Sequence, residues 1–367
     1  MPTSLLFVGG CNRQRLFAAH ANARGIAAFR VDEETGASEL LGITEGIDNP
    51  TFLATSADGR LLCATSEVGG WNEGTITAYA IDSASGALTY LNKQPTRGDS
   101  AAHLSFSPDR RHVGVANYST LPMTARPNKS VATYRIAADG ELSPLTAEVA
   151  HTGHGPNAGR QERPHPHCVR WTPDGRFVLV ADLGIDKVIS YAFDAAAGTL
   201  APQGEVALPP GSGPRHIAFH PTLPFVYVVN ELSSTVASFA FDAAAGRLEL
   251  LGTALAVPEA QVGKSWCSAI KIAPDGRYLF VGNRGEDTIA GFAIDPKSGL
   301  VTLASTTPSG GEIPRDFDFS PGGHLLAVAN QNSNRVDLFA YDPASGALTP
   351  KAVIETGTPT AIGWVKL

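Results

Sequence analysis

Apolar and polar positions alternate with a period of two in short stretches, as in Val169-Arg170-Trp171, Ile270-Lys271-Ile272 and Phe317-Asp318-Phe319. Period two places alternate side chains on opposite faces of a strand. No stretch keeps a helical period for three turns. The stretches are divided by Pro-Asp-Gly or Ala-Ala-Gly turns, which are hairpin signals. One phrase recurs: an apolar strand, Ser/Thr-Pro-Asp-Gly, and a second strand ending in a polar residue. It stands at Ser107-Pro108-Asp109, Thr172-Pro173-Asp174-Gly175, Ala273-Pro274-Asp275-Gly276 and Ser320-Pro321-Gly322-Gly323, with degenerate copies at Ser56-Ala57-Asp58-Gly59 and His220-Pro221. A second phrase follows each, with glycines at Gly36, Gly86, Gly140, Gly198, Gly246, Gly299 and Gly346. Seven copies, spaced by about fifty residues, predict a seven-bladed β-propeller with four antiparallel strands per blade.

The chain opens on Leu5-Leu6-Phe7-Val8, which matches the second strand of a repeat, and closes on Pro359 to Val365, which matches the first. Both termini are therefore expected in one blade, closing the ring without a free edge. Residues 1–367 are expected to form a single propeller domain. With strands lettered A to D from the axis outward, the start of A and the end of B share one face, near the channel. Alignment on the turns puts Thr51, Ala102, His167, Arg215, Ser268, Arg315 and Thr360 at the start of A. Nine positions past each turn proline stand Asn117, Asp182, Asn230, Asn283 and Asn330, followed by Tyr118, Leu183, Glu231, Arg284 and Gln331; Ser66 and Glu67 hold these places in blade two. An Asn or Asp at a strand end often caps its own turn. Capping does not account for Arg215, Glu231, Arg284 and Arg315 converging on one channel mouth, so the group is expected to form a functional site. Its side chains are expected to line solvent-filled space. Two long excursions, Tyr118 to Lys129 and His151 to His165, are expected on the same face as its rim.

Composition narrows the setting. The net charge of −7 disfavours nucleic acid as a partner. No apolar run approaches membrane-spanning length, and the N-terminus reads as a strand rather than a signal peptide. Cys11, Cys63, Cys168 and Cys267 are widely spaced and form no CxxC, which suits a reducing cytoplasm. His151, His154, His165 and His167 match no zinc spacing, so no metal and no other cofactor is expected.

Together these residues resemble the lactonase family of seven-bladed propellers, which includes bacterial 6-phosphogluconolactonase and fungal carboxymuconate cyclase. The resemblance rests on Gly159-Arg160-Gln161 running into Pro164-His165-Pro166-His167, on Gly213-Pro214-Arg215-His216, on Asn230-Glu231 and Asn283-Arg284, and on Pro314-Arg315-Asp316 with Asn330-Gln331. It spans essentially the whole chain. It implies His167, Arg215, Glu231 and Arg284 as catalytic residues. His165, Asp182, His216, Asn283, Arg315, Asn330 and Gln331 join them as candidates for binding substrate.

Opening a lactone requires a base for water, a donor for the tetrahedral oxyanion and a proton for the departing ring oxygen. Glu231 or His167 would be the base and the other the acid, with Arg215 and Arg284 as cationic donors. No Gly-x-Ser-x-Gly elbow is present, which disfavours a serine nucleophile. Arg160, Arg163 or Arg315 would hold a phosphate or carboxylate, so an anionic small-molecule lactone is expected, with 6-phosphogluconolactone foremost. A carboxymuconate-type cycloisomerase would use the same residues with proton transfer to carbon. A non-catalytic interaction propeller would instead show apolar rims.

Overall fold

The computed structural model describes residues 3–14, 17–121 and 127–367. Among them the chain forms 28 strands in seven four-stranded antiparallel sheets. Blade four shows the common plan: A at Pro166–Trp171, B at Phe177–Asp182, C at Lys187–Asp194 and D at Thr199–Ala207. Blade one is completed as expected. The last strand, Pro359–Lys366, pairs antiparallel with Thr3–Gly10, with Leu5 opposite Val365 and Leu6 opposite Trp364. The seam between first and last blades is thus a hydrogen-bonded ladder rather than two bare edges.

The repeated phrases do definite work in the turns. In blades three and four the Ser107 and Thr172 hydroxyls each donate to the Asp two residues on, both at 2.6 Å, and accept from the N–H five residues on, of His112 and Phe177. This Asp in turn accepts from the N–H of Arg111 or Arg176, closing the A–B turn on side chains. Blade seven has Gly322 where the Asp should be, and Glu33 of blade one fills the gap. Its carboxylate accepts from Ser320 Oγ at 2.6 Å and Gly322 N at 3.0 Å, and also from Ser4 Oγ. In blade five His220 Nδ1 takes the same role, accepting from Thr222 N and Leu223 N. The glycine of the second phrase sits in each C–D turn with φ between 63° and 90°, the left-handed region that a Cβ disfavours.

Apolar side chains pack between blades rather than at one centre. Among the described residues there are seven buried clusters, one at each contact between successive blades. The cluster joining blades four and five holds Leu179, Val188, Val226, Val228 and Phe239. The axial channel is consequently left to strand A, and its polar residues face one another across it.

Candidate active site

The ladders of A and B slip by one residue where A begins. In blade four Pro166 pairs with Asp182 and Cys168 with Ala181, so His167 is the extra residue. Arg215 is the extra residue between Pro214 and His216 in blade five, and Arg315 between Pro314 and Asp316 in blade seven. Each slip is a β-bulge, which frees one side chain from the pleat and re-aims it. A proline precedes each bulged residue, and proline has no N–H to lose from the ladder. Three of the side chains singled out by the sequence are thus presented by one backbone device.

The channel mouth holds a cavity of about 410 Å³, lined among others by Glu67, Arg160, His167, Glu231, Arg284 and Arg315. Glu231 is its hub. Its Oε2 accepts from Arg215 Nε at 3.0 Å and pairs with Arg284 Nη2 at 2.8 Å, and its Oε1 accepts from Arg160 Nη2. Arg160 also donates to the Tyr118 hydroxyl at 3.3 Å. Burial opposes ionisation of Glu231, but Arg284, Arg160 and Arg215 outweigh it and hold the carboxyl well below the usual range. A carboxylate clamped by three guanidiniums is a poor base.

His167 is different. It is buried, and its Nδ1 has no hydrogen-bond partner. Burial first, then Arg215, push its pKa well below 6.5 against the opposing pull of Glu231. It is therefore a neutral imidazole on the cavity wall at neutral pH. Tyr118 stands edge-on to it, with ring centroids 5.4 Å apart.

Arg215 does not line the cavity. It lies beneath Glu231, 2% exposed, with Nη1 donating to Ser268 O at 2.6 Å and to His216 Nε2 at 3.2 Å. Burial and then Arg284 lower its pKa, though it remains a cation at neutral pH. The expectation that the four catalytic candidates line solvent-filled space needs correction for Arg215: His167, Glu231 and Arg284 line the cavity, whereas Arg215 is a buried partner of Glu231 behind it.

Of the substrate-binding candidates, Arg315 lines the cavity, its guanidinium 4.2 Å from the centre of the Phe17 ring. The others stand outside it. Asp182 is fully buried; it accepts from His165 N and Gly184 N and pairs with His151 Nδ1 at 2.6 Å. Asn283 and Asn330 turn their amides to the carbonyls of Ala256 and Ser309, tying the preceding loop to their own blades. Gln331 donates to Phe17 O. His165 stacks on Tyr118 at 4.4 Å, and His216 faces the other half of the channel. For Asp182, His165, Asn283, Asn330 and Gln331 the physical reason is shared: each side chain is taken up by backbone groups that the ladder or a loop leaves unpaired. Both excursions reach the rim as expected, through Tyr118, Thr120 and Arg160, although residues 122–126 lie outside the described residues. The grip of Arg160 on Glu231 was not anticipated, because no spacing rule aims a residue in a long loop. Glu67, hydrogen-bonded by Thr51 Oγ1 at 2.6 Å, was visible as a ring member but was not singled out. Trp266, 40% exposed, forms part of the wall. Among the described residues no group of His, Cys, Asp and Glu is arranged to hold a metal ion.

The model of the lactonase seven-bladed β-propeller family matches residues 6–365. The chain belongs to this lactonase family. Its relatives in the family include the 6-phosphogluconolactonase of Bacillus subtilis strain 168, 36% identical over 297 residues that span 81% of each chain. The 6-phosphogluconolactonase of Formosa agariphila is 31% identical over 80% of this chain and 81% of its own. The solved structure of a periplasmic gluconolactonase from Pseudomonas aeruginosa is 34% identical, with a TM-score of 0.88 and 99% of both chains covered.

Proposed function

We propose that this lactonase-family protein hydrolyses the lactone of a sugar acid in carbohydrate metabolism, and that its substrate is 6-phosphogluconolactone, opened to 6-phosphogluconate. The observation that carries the reading is the cluster of Glu231 with three guanidiniums beside a neutral His167, at a cavity large enough for one sugar. Four guanidiniums (Arg160, Arg215, Arg284, Arg315) stand against two carboxylates (Glu67, Glu231), an excess of two positive charges. A phosphate carries about −1.5 to −2 at pH 7, which suits that excess.

In this mechanism His167 is the general base. It takes a proton from water as the oxygen attacks the lactone carbonyl, and returns it to the ring oxygen as the C–O bond breaks. Arg284 and Arg160, the two clamping arginines that line the cavity, donate to the developing oxyanion. Glu231 holds these cations at fixed distance and is a positioning residue. Arg315 receives the phosphate, and Trp266 offers an aromatic wall to the sugar. The four cysteines are buried, and Cys63, Cys168 and Cys267 form no disulfide, which supports a reducing cytoplasm, although the Pseudomonas relative is described as periplasmic. No helix among the described residues is long and apolar enough to cross a membrane.

The test is acid release above the spontaneous rate on three lactones: 6-phosphogluconolactone, unphosphorylated gluconolactone and a carboxylated muconolactone. The phosphorylated lactone should give the highest kcat/KM. Acceleration of the muconolactone alone would replace hydrolysis of sugar lactones by the cycloisomerase reaction.

A further inference from the structure

The axial channel contains a second cavity, of about 300 Å³, on the face of the A–B turns. Strands A of five blades reach it, through His103, Arg170, His216, Lys271 and Asp316, and Phe52, just before strand A of blade two, completes the ring. It shares no lining residue with the front cavity. The septum between the two consists of the His167 and His216 rings, 5.4 Å apart, and of Arg215, which donates to His216 Nε2. Because that nitrogen accepts, the proton of neutral His216 resides on Nδ1, a donor on the septum that walls the rear cavity.

Two cations, Arg170 and Lys271, and two carboxylates, Asp316 and Asp318, line this cavity. Lys271 Nζ pairs with Asp318 at 2.6 Å. Asp316 accepts from Ile362 N, and burial raises its pKa against the pull of Lys271. Arg170 makes no ion pair among the described residues and is exposed to the cavity. The charges acting on His103 are all cationic: Arg170, Lys271 and Arg215. The remaining wall is apolar, from Phe52, Ile217, Ile270 and Ile272. We propose that this rear cavity is a second binding site, which takes a small monocarboxylate: the carboxylate on Arg170, the short hydrocarbon part against the isoleucines. One unpaired cation matches one negative charge, and the volume is at the lower end for ligand sites.

The experiment uses the full chain and butanoate as probe, with binding followed by saturation-transfer NMR. Wild type should bind butanoate, and Arg170→Ala should weaken it about tenfold, the scale of one lost charge-assisted hydrogen bond. Arg284→Ala, which alters only the front cavity, should bind butanoate as wild type does. Inorganic phosphate at equal concentration should leave the signal in place. Unchanged affinity in Arg170→Ala overturns the proposal. So does loss in Arg284→Ala, which would place the probe in the front cavity, or displacement by phosphate, which would make the site a general anion trap. Arg170 is exposed, so thermal melts of the variant should match wild type, and Arg170→Gln repeats the test with more of the stem kept. Arg170→Ala should hydrolyse lactones at the wild-type rate, so this test stands or falls independently of the lactonase reading.

Discussion

At the turn end of the blades, strands A and B are joined again and again by one hydrogen-bond pattern: Ser56 to Asp58, Ser107 to Asp109 and Thr172 to Asp174, each at 2.6 Å. At the other end the same two strands carry Thr51 with Glu67, His167 with Leu183, Arg215 with Glu231 and Arg315 with Gln331. The turn end repeats because every hairpin must satisfy the same few backbone groups. The mouth varies because a bulge there frees one residue from the ladder in six of the seven blades, and each blade then contributes a different group. A neighbouring position on the same strand shows how sharp the boundary is. Asn230 donates to Thr235 Oγ1 and is fully buried, whereas Glu231, the next residue, binds three arginines, two of which line the cavity.

The comparison predicts that damage to the repeated ladder costs stability, and damage at the bulges costs chemistry. The largest effect should follow deletion of residues 357–367. It removes strand A of blade one and bares Thr3–Gly10 and the flank of blade seven. Size-exclusion chromatography should find aggregate; a monomer with native circular dichroism would break the account of closure. Next comes Glu231→Gln, which keeps the shape but leaves buried cations without their carboxylate. Denaturant titration should show a loss of about 3–5 kcal/mol, together with a higher KM and a lower kcat. Unaltered stability would mean that the arginines do not depend on Glu231.

Stability should also depend on pH through the channel histidines. Burial leads the causes that push His103, His167 and His216 well below 6.5 in the folded protein. Above the unfolded value of about 6.5 neither state takes up these protons. As pH falls below it the unfolded chain is protonated first, so stability falls, by up to about 1.4 kcal/mol per pH unit for each histidine. Urea titrations at pH 7.5, 6.0 and 5.0 check this, and a flat profile would show that the rings are protonated in place. The smallest effect belongs to the turn end: Thr172→Ala should cost about 1 kcal/mol by loss of its paired hydrogen bonds and leave lactone turnover unchanged.

The repeat made the fold legible down to the shared terminal blade, because seven copies of a turn leave little freedom for alternatives. The positions of His167, Glu231, Arg284 and Arg315 around one cavity were legible for the same reason, by counting from a turn proline. The direction of each side chain was not. Asp182 occupies the strand position of Asn230, yet it is drawn to His151 and to the N–H groups of His165 and Gly184 by the excursion that begins at His151. Such a loop is aimed by contacts far apart in sequence, which is also why the bond from Arg160 to Glu231 escaped the count. The choice between His167 and Glu231 as base was equally hidden, since it depends on how many cations each one touches.

That choice is the centre of the account, and kinetics on His167→Asn tests it most directly. The substitution keeps a polar side chain at the bulge and removes the proton acceptor. On 6-phosphogluconolactone the account predicts a loss of about 10²–10⁴ in kcat with KM little changed and the fold intact by circular dichroism. A folded His167→Asn protein that turns over the lactone at the wild-type rate would contradict it.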